Sequence, residues 1–226
     1  MPHIKRTPLG ERVMPSYTFG EEVMNMVTHI VGGALGIVVL TLGVIIAARH
    51  RNGWGVTSCA VYGASMICLY AVSSVYHGLN ASRGKRVMQV IDHCTIYLLI
   101  AGTYMPIMLS AVRPRHPALA WTVFGCEYGL ALLAAAFTAI DLKKYSKLSM
   151  ICYIGMGWFI VLTLRPTVQA LTWPGFAWLL AGGIAYTAGA VLYGLGKKKK
   201  YFHSVFHIFV VLGSALQAVC ILAYAI

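Results

Sequence analysis

Two short patterns in this sequence combine residue types that bind metal ions or move protons. HSVFH, near the C-terminus, contains His203 and His207, and SSVYH contains Ser73 and His77. In each pattern the two residues are four positions apart, so in a helix they would lie about 40° apart on one face. Neutral imidazoles suit zinc, and three protein ligands leave a fourth position for a water molecule. Asp92, in VIDHC, is a candidate for the carboxylate that orients or deprotonates such a water.

All of these residues lie in or beside long apolar runs, and the runs determine the class of protein. Of the 226 residues, 59% are hydrophobic and 11% are charged, and the mean hydropathy is +0.74. A soluble domain of this size could not bury so much apolar surface, so the composition predicts an all-α polytopic integral membrane protein. Seven runs are long enough to cross about 30 Å of hydrocarbon: 24–48, 54–79, 88–112, 118–140, 148–164, 175–195 and 202–226.

The connections between these runs are short, so we predict a single seven-transmembrane-helix bundle over residues 21–226, preceded by an N-terminal tail, 1–20. The fifth run is the shortest, and we expect it to end near Arg165 and Pro166. Close helix contacts are expected at five glycines inside the runs: Gly32, Gly36, Gly182, Gly183 and Gly189.

The number of lysine and arginine residues rises and falls from one segment between the apolar runs to the next. Counting alternate segments from the N-terminus gives 13 basic residues on one side of the membrane and 5 on the other. This bias predicts a cytoplasmic tail over residues 1–20 and a C-terminus outside. The formal charge of +12 is therefore a signal of topology and of contact with anionic lipids, and it does not indicate a nucleic-acid partner.

With this orientation, polar residues from three helices fall at one depth near the cytoplasmic surface. His77 and Asp92 each lie about 9 Å from the basic residues of the loop 83–86, and His203 and His207 lie about 4 to 11 Å beyond a run of lysines. Inserting a charged side chain at the centre of a membrane helix costs about 2.5–3.5 kcal/mol of free energy, so the presence of each ionisable residue requires an explanation. A single histidine here is better explained by a lipid phosphate or a backbone carbonyl, but the three together favour a metal.

The spacing of the three histidines, Ser73 and Asp92 is similar to the signature of the progestin and adipoQ receptor family, and alkaline ceramidases share the same three-part pattern. Longer segments resemble the bacterial hemolysin III branch of that family. These segments are EEVMNMVTHIVGG, SSVYHGL, DHCTIYLLIAGTYMP, MGWF and HSVFHIFVVLGS. The resemblance extends over nearly the whole chain, from residue 21 to the end.

This resemblance implies a seven-helix bundle in a bacterial plasma membrane, with a zinc ion bound by His77, His203 and His207. It also implies that Ser73 and Asp92 hold or polarise a zinc-bound water. Hemolysin III sequences often have a further histidine ten residues after the HxxxH pair, where this chain has Gln217, so no ligand is assigned there.

Two further groups of polar residues lie in the apolar runs. Glu22, Asn25 and His29 match the family's E-x-x-N-x-x-x-H pattern and share a helix face. Glu22 and His29 either orient the metal ligands and line the same cavity, or they are an anion favoured by the helix dipole and a histidine at headgroup level. Glu127, near the middle of the fourth run, is expected to be a protonated, hydrogen-bonded side chain that faces the bundle.

Two classes of function follow from these observations. The first is a zinc-dependent hydrolase of an amide or ester in a membrane lipid of the cytoplasmic leaflet, or a regulator of membrane lipid homeostasis. The second is non-enzymatic: a sensor or receptor of lipid state, or a pore-forming cytolysin. A pore should have polar residues along a helix through the whole membrane depth, whereas this chain concentrates them in one leaflet.

Overall fold

The computed structural model describes residues 6–12, 14–196 and 199–226, and the regular secondary structure of these residues is entirely helical. Three basic residues of the charge count, Lys5, Lys197 and Lys198, lie outside the described residues. The described α-helices are α1 (Phe19–Arg49), α2 (Gly53–Gly78), α3 (Arg83–Met105), α4 (Pro117–Ile140), α5 (Ser146–Trp158), α6 (Leu164–Leu195) and α7 (Phe202–Cys220). Short π-helical segments, Pro106–Val112 and Ile221–Ala225, extend α3 and α7, and a 3-10 segment, Phe159–Thr163, joins α5 to α6.

Six helical stretches among the described residues are long and apolar enough to cross a membrane, which confirms the prediction of an all-α multi-pass membrane protein. They are Phe19–Arg49, Gly53–Gly78, Arg83–Val112, Pro117–Ile140, Ser146–Leu195 and Phe202–Ala225. The fifth stretch has 50 residues and contains both the fifth and the sixth predicted runs. At 1.5 Å per residue it would be about 75 Å long if straight, which is more than twice the thickness of the hydrocarbon core.

This long stretch is interrupted at Thr172, whose φ of 62° and ψ of 167° are not helical. The indole N–H of Trp158 donates to Thr187 Oγ1 at 3.0 Å, so the segments before and after the break lie side by side. The predicted end near Arg165 and Pro166 is therefore wrong. Pro166 is in the first turn of α6, where its missing N–H leaves no helical hydrogen bond unmade, so the helix continues through it.

The glycines of α1 and α2 allow these two helices to approach each other closely. A Cβ atom at Gly32 would lie 2.6 Å from the Tyr70 ring, and one at Gly63 would lie 2.7 Å from the Leu40 Cα atom. Close contacts are confirmed at four of the five glycines predicted to make them, and Gly183 is the exception, because nothing lies within 4 Å of its position. A sequence cannot show which of two adjacent glycines, such as Gly182 and Gly183, faces the neighbouring helix.

Glu127 is fully buried within α4, as predicted, but its predicted hydrogen bond is not found. Neither carboxylate oxygen has a hydrogen-bond partner among the described residues. The sequence indicated that the side chain faces the interior, and it could not indicate what lies opposite.

One end of the bundle brings together the start of α1, the end of α2 and the starts of α3 and α7. Glu21 joins two of these helix ends, since it accepts hydrogen bonds from Thr18 in a capping box and from the backbone N–H of Tyr201 at 2.7 Å. The Lys85 ammonium donates to the backbone carbonyl of Leu79 at 2.8 Å, so it satisfies an acceptor at the end of α2. These bonds hold the four helix ends around the predicted site residues.

Candidate metal centre

Three histidines from two helices meet at this end of the bundle. His77 comes from the last turn of α2, and His203 and His207 come from the first two turns of α7. One ring nitrogen of each histidine lies within 4.8 Å of the others, a separation at which one metal ion could bind all three. His77 and His207 are buried and His203 is half-buried.

Hydrogen bonds through Nδ1 orient two of the three rings. His77 Nδ1 lies 2.5 Å from Glu22 Oε2, and His207 Nδ1 lies 3.3 Å from the backbone carbonyl oxygen of Asn25. The Asn25 amide Nδ2 also lies 3.4 Å from His77 Nδ1, but the Glu22 carboxylate is much nearer. Because a carboxylate and a carbonyl can only accept, we assign the proton to Nδ1 in both rings, which leaves the lone pair on Nε2. Metal-bound histidines in proteins are oriented in the same way, by a carboxylate or carbonyl at the other ring nitrogen.

The Nε2 atoms of the cluster have few partners other than one another. His77 Nε2 is buried and has no hydrogen-bond partner among the described residues. His207 Nε2 and His203 Nε2 are 3.1 Å apart. Two nitrogen ligands of a tetrahedral zinc ion are about 3.3 Å apart, given Zn–N bonds of about 2.0–2.1 Å. The residues present therefore fit a zinc ion: three imidazoles, two with their tautomers set, and a buried lone pair without a donor.

The third histidine is held in a different way. His203 Nδ1 is buried and has no hydrogen-bond partner among the described residues. Its ring lies nearly parallel to the Tyr17 ring, with 4.9 Å between the centroids and an angle of 10° between the planes. Ring contacts therefore orient His203, whereas hydrogen bonds orient the other two histidines.

Glu22 links the cluster to a buried lysine. Its second carboxylate oxygen accepts from Lys85 Nζ at 2.6 Å, while the first accepts from His77. The lysine keeps the carboxylate ionised and so favours the His77 tautomer that exposes Nε2. Sequence analysis identified Glu22 but treated Lys85 only as a topology signal, because a lysine at the start of a membrane helix usually faces the headgroups.

Asn25 and His29, on the same face of α1, line the other side of the cluster. Asn25 Oδ1 accepts from Ser204 Oγ at 2.6 Å, which ties α1 to α7 beside His207. The His29 ring stacks on the His207 ring at a centroid distance of 3.7 Å. Both His29 nitrogens are buried and have no hydrogen-bond partner among the described residues. The family pattern indicated Asn25 and His29, and nothing in the sequence singled out Ser204.

Asp92 and Ser73 lie beside the cluster. The Asp92 side chain is 14% exposed, and its Oδ2 lies 3.9 Å from His93 Nδ1. It also interacts electrostatically with His77 and lies close to the Ser73 hydroxyl. That hydroxyl is buried, and its contacts do not meet the geometry of a hydrogen bond. A carboxylate and a hydroxyl next to three imidazoles are the groups that a hydrolytic metal site needs for proton transfer.

Three other polar residues lie outside the group of three histidines. His93 Nδ1 donates to the Gln89 carbonyl oxygen at 2.8 Å within α3. Gln217 packs against Gly182 of α6. Neither Gln217 nor Glu127 belongs to the group of potential ligands found among the described residues.

Comparison with known proteins shows the family to which the chain belongs. Residues 17–218 match the family model described as haemolysin-III related. The chain belongs to this haemolysin-III-related family. It is 37% identical over 206 residues to "Hemolysin-3" of Bacillus cereus, an alignment that covers 91% of this chain and 92% of that protein. It is 35% identical over 210 residues to the "Hemolysin-3 homolog" of Bacillus subtilis (strain 168), covering 93% and 97% of the two chains.

More distant similarity extends beyond bacteria. The chain is 26% identical over 228 residues to the "Monocyte to macrophage differentiation factor" of Homo sapiens, which covers 97% of this chain and 90% of that protein. This similarity links the haemolysin-III-related chain to the progestin and adipoQ receptor family, as its motifs indicated. No solved structure matches the chain.

Proposed function

We propose that this haemolysin-III-related protein is a zinc-dependent hydrolase that cleaves an amide or ester bond of a membrane lipid. His77, His203 and His207 would hold the zinc ion, and Asp92 and Ser73 would handle the water molecule and its protons. The observation that supports this proposal most strongly is the set of three imidazoles, each with a ring nitrogen within 4.8 Å of the others. Glu22 and the Asn25 carbonyl set two of the three tautomers.

A zinc ion held there would act as a Lewis acid toward a water molecule and a lipid carbonyl. Asp92 would accept a proton from the water molecule as its oxygen bonds to the carbonyl carbon. Asp92 would then return the proton to the leaving nitrogen or oxygen as the carbon–nitrogen or carbon–oxygen bond breaks. The Ser73 hydroxyl, buried and close to Asp92, would hold the carboxylate or the water in position. The products would be a fatty acid and a lipid amine or alcohol.

A hydrolysis assay that includes metal removal tests this function. Purified protein should release labelled fatty acid from detergent–lipid micelles containing an acyl-labelled lipid amide or ester. Treatment with a chelator should lower the rate at least tenfold and added zinc should restore it, because the proposed chemistry requires the metal. Release that is unchanged by the chelator, or that a mock purification also shows, would argue against the proposal.

We further propose seven membrane spans in a bacterial plasma membrane, with the histidines at the cytoplasmic side. The 50-residue stretch would contain two spans, 146–171 and 173–195, each longer than the roughly 30 Å of hydrocarbon. The non-helical Thr172 and the Trp158–Thr187 hydrogen bond support this division. An excess of 13 to 5 basic residues on alternate segments supports a cytoplasmic N-terminus.

Reporter fusions test this topology. An enzyme reporter that is active only outside the cytoplasm should be active when it is fused after Ile226. The same reporter fused within the loop after α2, at Ser82, should be inactive. An active cytoplasmic reporter after Ile226 would indicate an even number of spans and would contradict the proposed topology.

A further inference from the structure

The residues that precede α1 do not extend away from the bundle. The described residues 6–12 and 14–18, which we call the N-terminal segment, run from the end of α4 across to the start of α1. At the far end, the backbone N–H of Thr7 donates to Asp141 Oδ2 at 2.8 Å, and Arg12 Nη2 donates to the Ile140 carbonyl oxygen at 2.9 Å. The 3-10 turn Leu9–Glu11 lies against α3. This segment crosses the end of the bundle at which the three histidines meet.

Asp141 is a strong anchor for the segment. Its side chain is buried, and Oδ1 accepts from the backbone N–H groups of Lys143 and Lys144 while Oδ2 accepts from Thr7. The Thr7 N–H is the main reason that the pKa of Asp141 falls to about 2, and Lys144 and Arg12 lower it further. The carboxylate is therefore ionised at neutral pH and accepts charge-assisted hydrogen bonds.

The other end of the segment contacts the histidine cluster through Tyr17. The Tyr17 ring stacks on His203 and lies 5.8 Å from the His77 ring. The Tyr17 residue is half-buried against these rings. One residue later, Thr18 caps α1 and fixes the direction in which the segment leaves the helix.

Tyr17 orients the His203 ring, which no hydrogen bond from the described residues to Nδ1 does. Glu22 and the Asn25 carbonyl orient His77 and His207, but His203 Nδ1 has no partner among the described residues. The rings of Tyr193 and Phe206 also contact His203, with angles of 55° and 31° between the ring planes. Among the described residues, only the Tyr17 ring lies nearly parallel to the His203 ring. An aromatic pair of this kind contributes about 0.5–1.5 kcal/mol, which corresponds to roughly 2- to 10-fold in an equilibrium.

We propose that the N-terminal segment is the aqueous-side cover of the histidine cluster, with Tyr17 as the positioning residue for His203 and Asp141 as the remote anchor. The inference extends the proposed metal site to a segment that makes no bond to the metal. Only the role of the cover, which is to protect a metal site, rests on the proposed function. The contacts between the segment and the cluster do not depend on a metal.

Chemical modification of His203 tests the cover. Chelator-treated full-length protein is exposed to diethyl pyrocarbonate, and mass spectrometry follows the modification rate of each histidine. His203 should react about 2- to 10-fold faster in Tyr17→Ala than in wild type, as the loss of one aromatic contact predicts. Asp141→Asn should give an increase in the same direction, because its Nδ2 cannot accept from the Thr7 N–H. Tyr17→Phe keeps the ring and should react like wild type.

Controls separate loss of the cover from unfolding and from failure of the metal proposal. Glu11→Gln removes a charge from an exposed side chain of the same segment and should leave the His203 rate unchanged. Exposed His50 serves as the internal reference, and buried His29 should remain slow unless a variant unfolds. Equal His203 rates in wild type, Tyr17→Ala and Asp141→Asn would overturn the cover. Absence of zinc from the untreated protein would contradict the metal site instead, and the modification rates would still decide the cover.

Discussion

Purified His77→Ala and His207→Ala variants should contain almost no zinc, whereas the wild-type protein should contain about one zinc ion per chain. Each substitution removes one of only three protein ligands. His77→Ala also leaves the Glu22 carboxylate without the imidazole that it orients, and His207→Ala breaks the 3.1 Å contact between Nε2 atoms. His203→Ala should have the same effect. Elemental analysis per mole of protein, after purification without chelators, provides the measurement.

Two histidine variants serve as matched controls for this loss. His93→Ala removes an imidazole at a similar depth whose Nδ1 is already bonded to the Gln89 carbonyl oxygen. His116→Ala removes one from the loop just before α4. Both variants should retain wild-type zinc. If all five variants retained the same amount of zinc, the proposed metal site would be in the wrong place.

The sequence could predict that the site residues meet, because a membrane limits how helices are positioned along its normal. Apolar length and flanking charge set where each helix enters, and the rise per residue then gives the level of every polar side chain. This placed His77, Asp92 and the HxxxH pair at one level, and in the structure the end of α2 and the starts of α3 and α7 do meet. The i, i+4 spacing gave the common face of His203 and His207.

The break in the 50-residue stretch could be located only approximately from the sequence. Pro166 and Pro174 both lie in the predicted gap between the fifth and sixth runs, and a proline ends a helix only when it lies beyond the first turn. Whether Pro166 begins or ends a helix depends on where the chain reverses direction. That position depends on tertiary contacts such as the hydrogen bond from Trp158 to Thr187, which the sequence does not show. The break at Thr172 lies within the predicted gap, eight residues after the predicted end of the fifth run and three before the predicted start of the sixth.

The N-terminal segment shows a different limit. Its anchor is a hydrogen bond from the backbone N–H of Thr7, a group that nearly every residue has, to a carboxylate 134 positions away. Neither hydrophobic periodicity nor a motif marks such a bond. Tyr17 likewise has no distinctive neighbours in the sequence, and its relation to His203 is evident only once α1 and α7 are side by side. Lys85 was misjudged because its partner Glu22 lies on another helix.

The replacement Asp92→Asn should separate an enzyme from a sensor, because it removes a base and leaves the metal ligands intact. Asparagine keeps the shape of aspartate and one acceptor oxygen, but it cannot take a proton from water at neutral pH. Zinc content should remain near one ion per chain. Release of fatty acid from the lipid substrate should fall by about 10²–10⁴-fold, the usual contribution of a general base.

The measurement is paired: zinc content and cellular lipid profile are compared in wild type, Asp92→Asn, His207→Ala and the surface control Glu11→Gln. In a hydrolase, Asp92→Asn and His207→Ala should alter the lipid profile alike although only His207→Ala loses zinc. A sensor without turnover should instead follow zinc occupancy, so Asp92→Asn would resemble wild type. Full zinc and a wild-type lipid profile in Asp92→Asn, beside an altered profile in His207→Ala, would rule out the hydrolase. Loss of the Asp92 carboxylate would then have no effect on lipid turnover, so Asp92 could not be the general base.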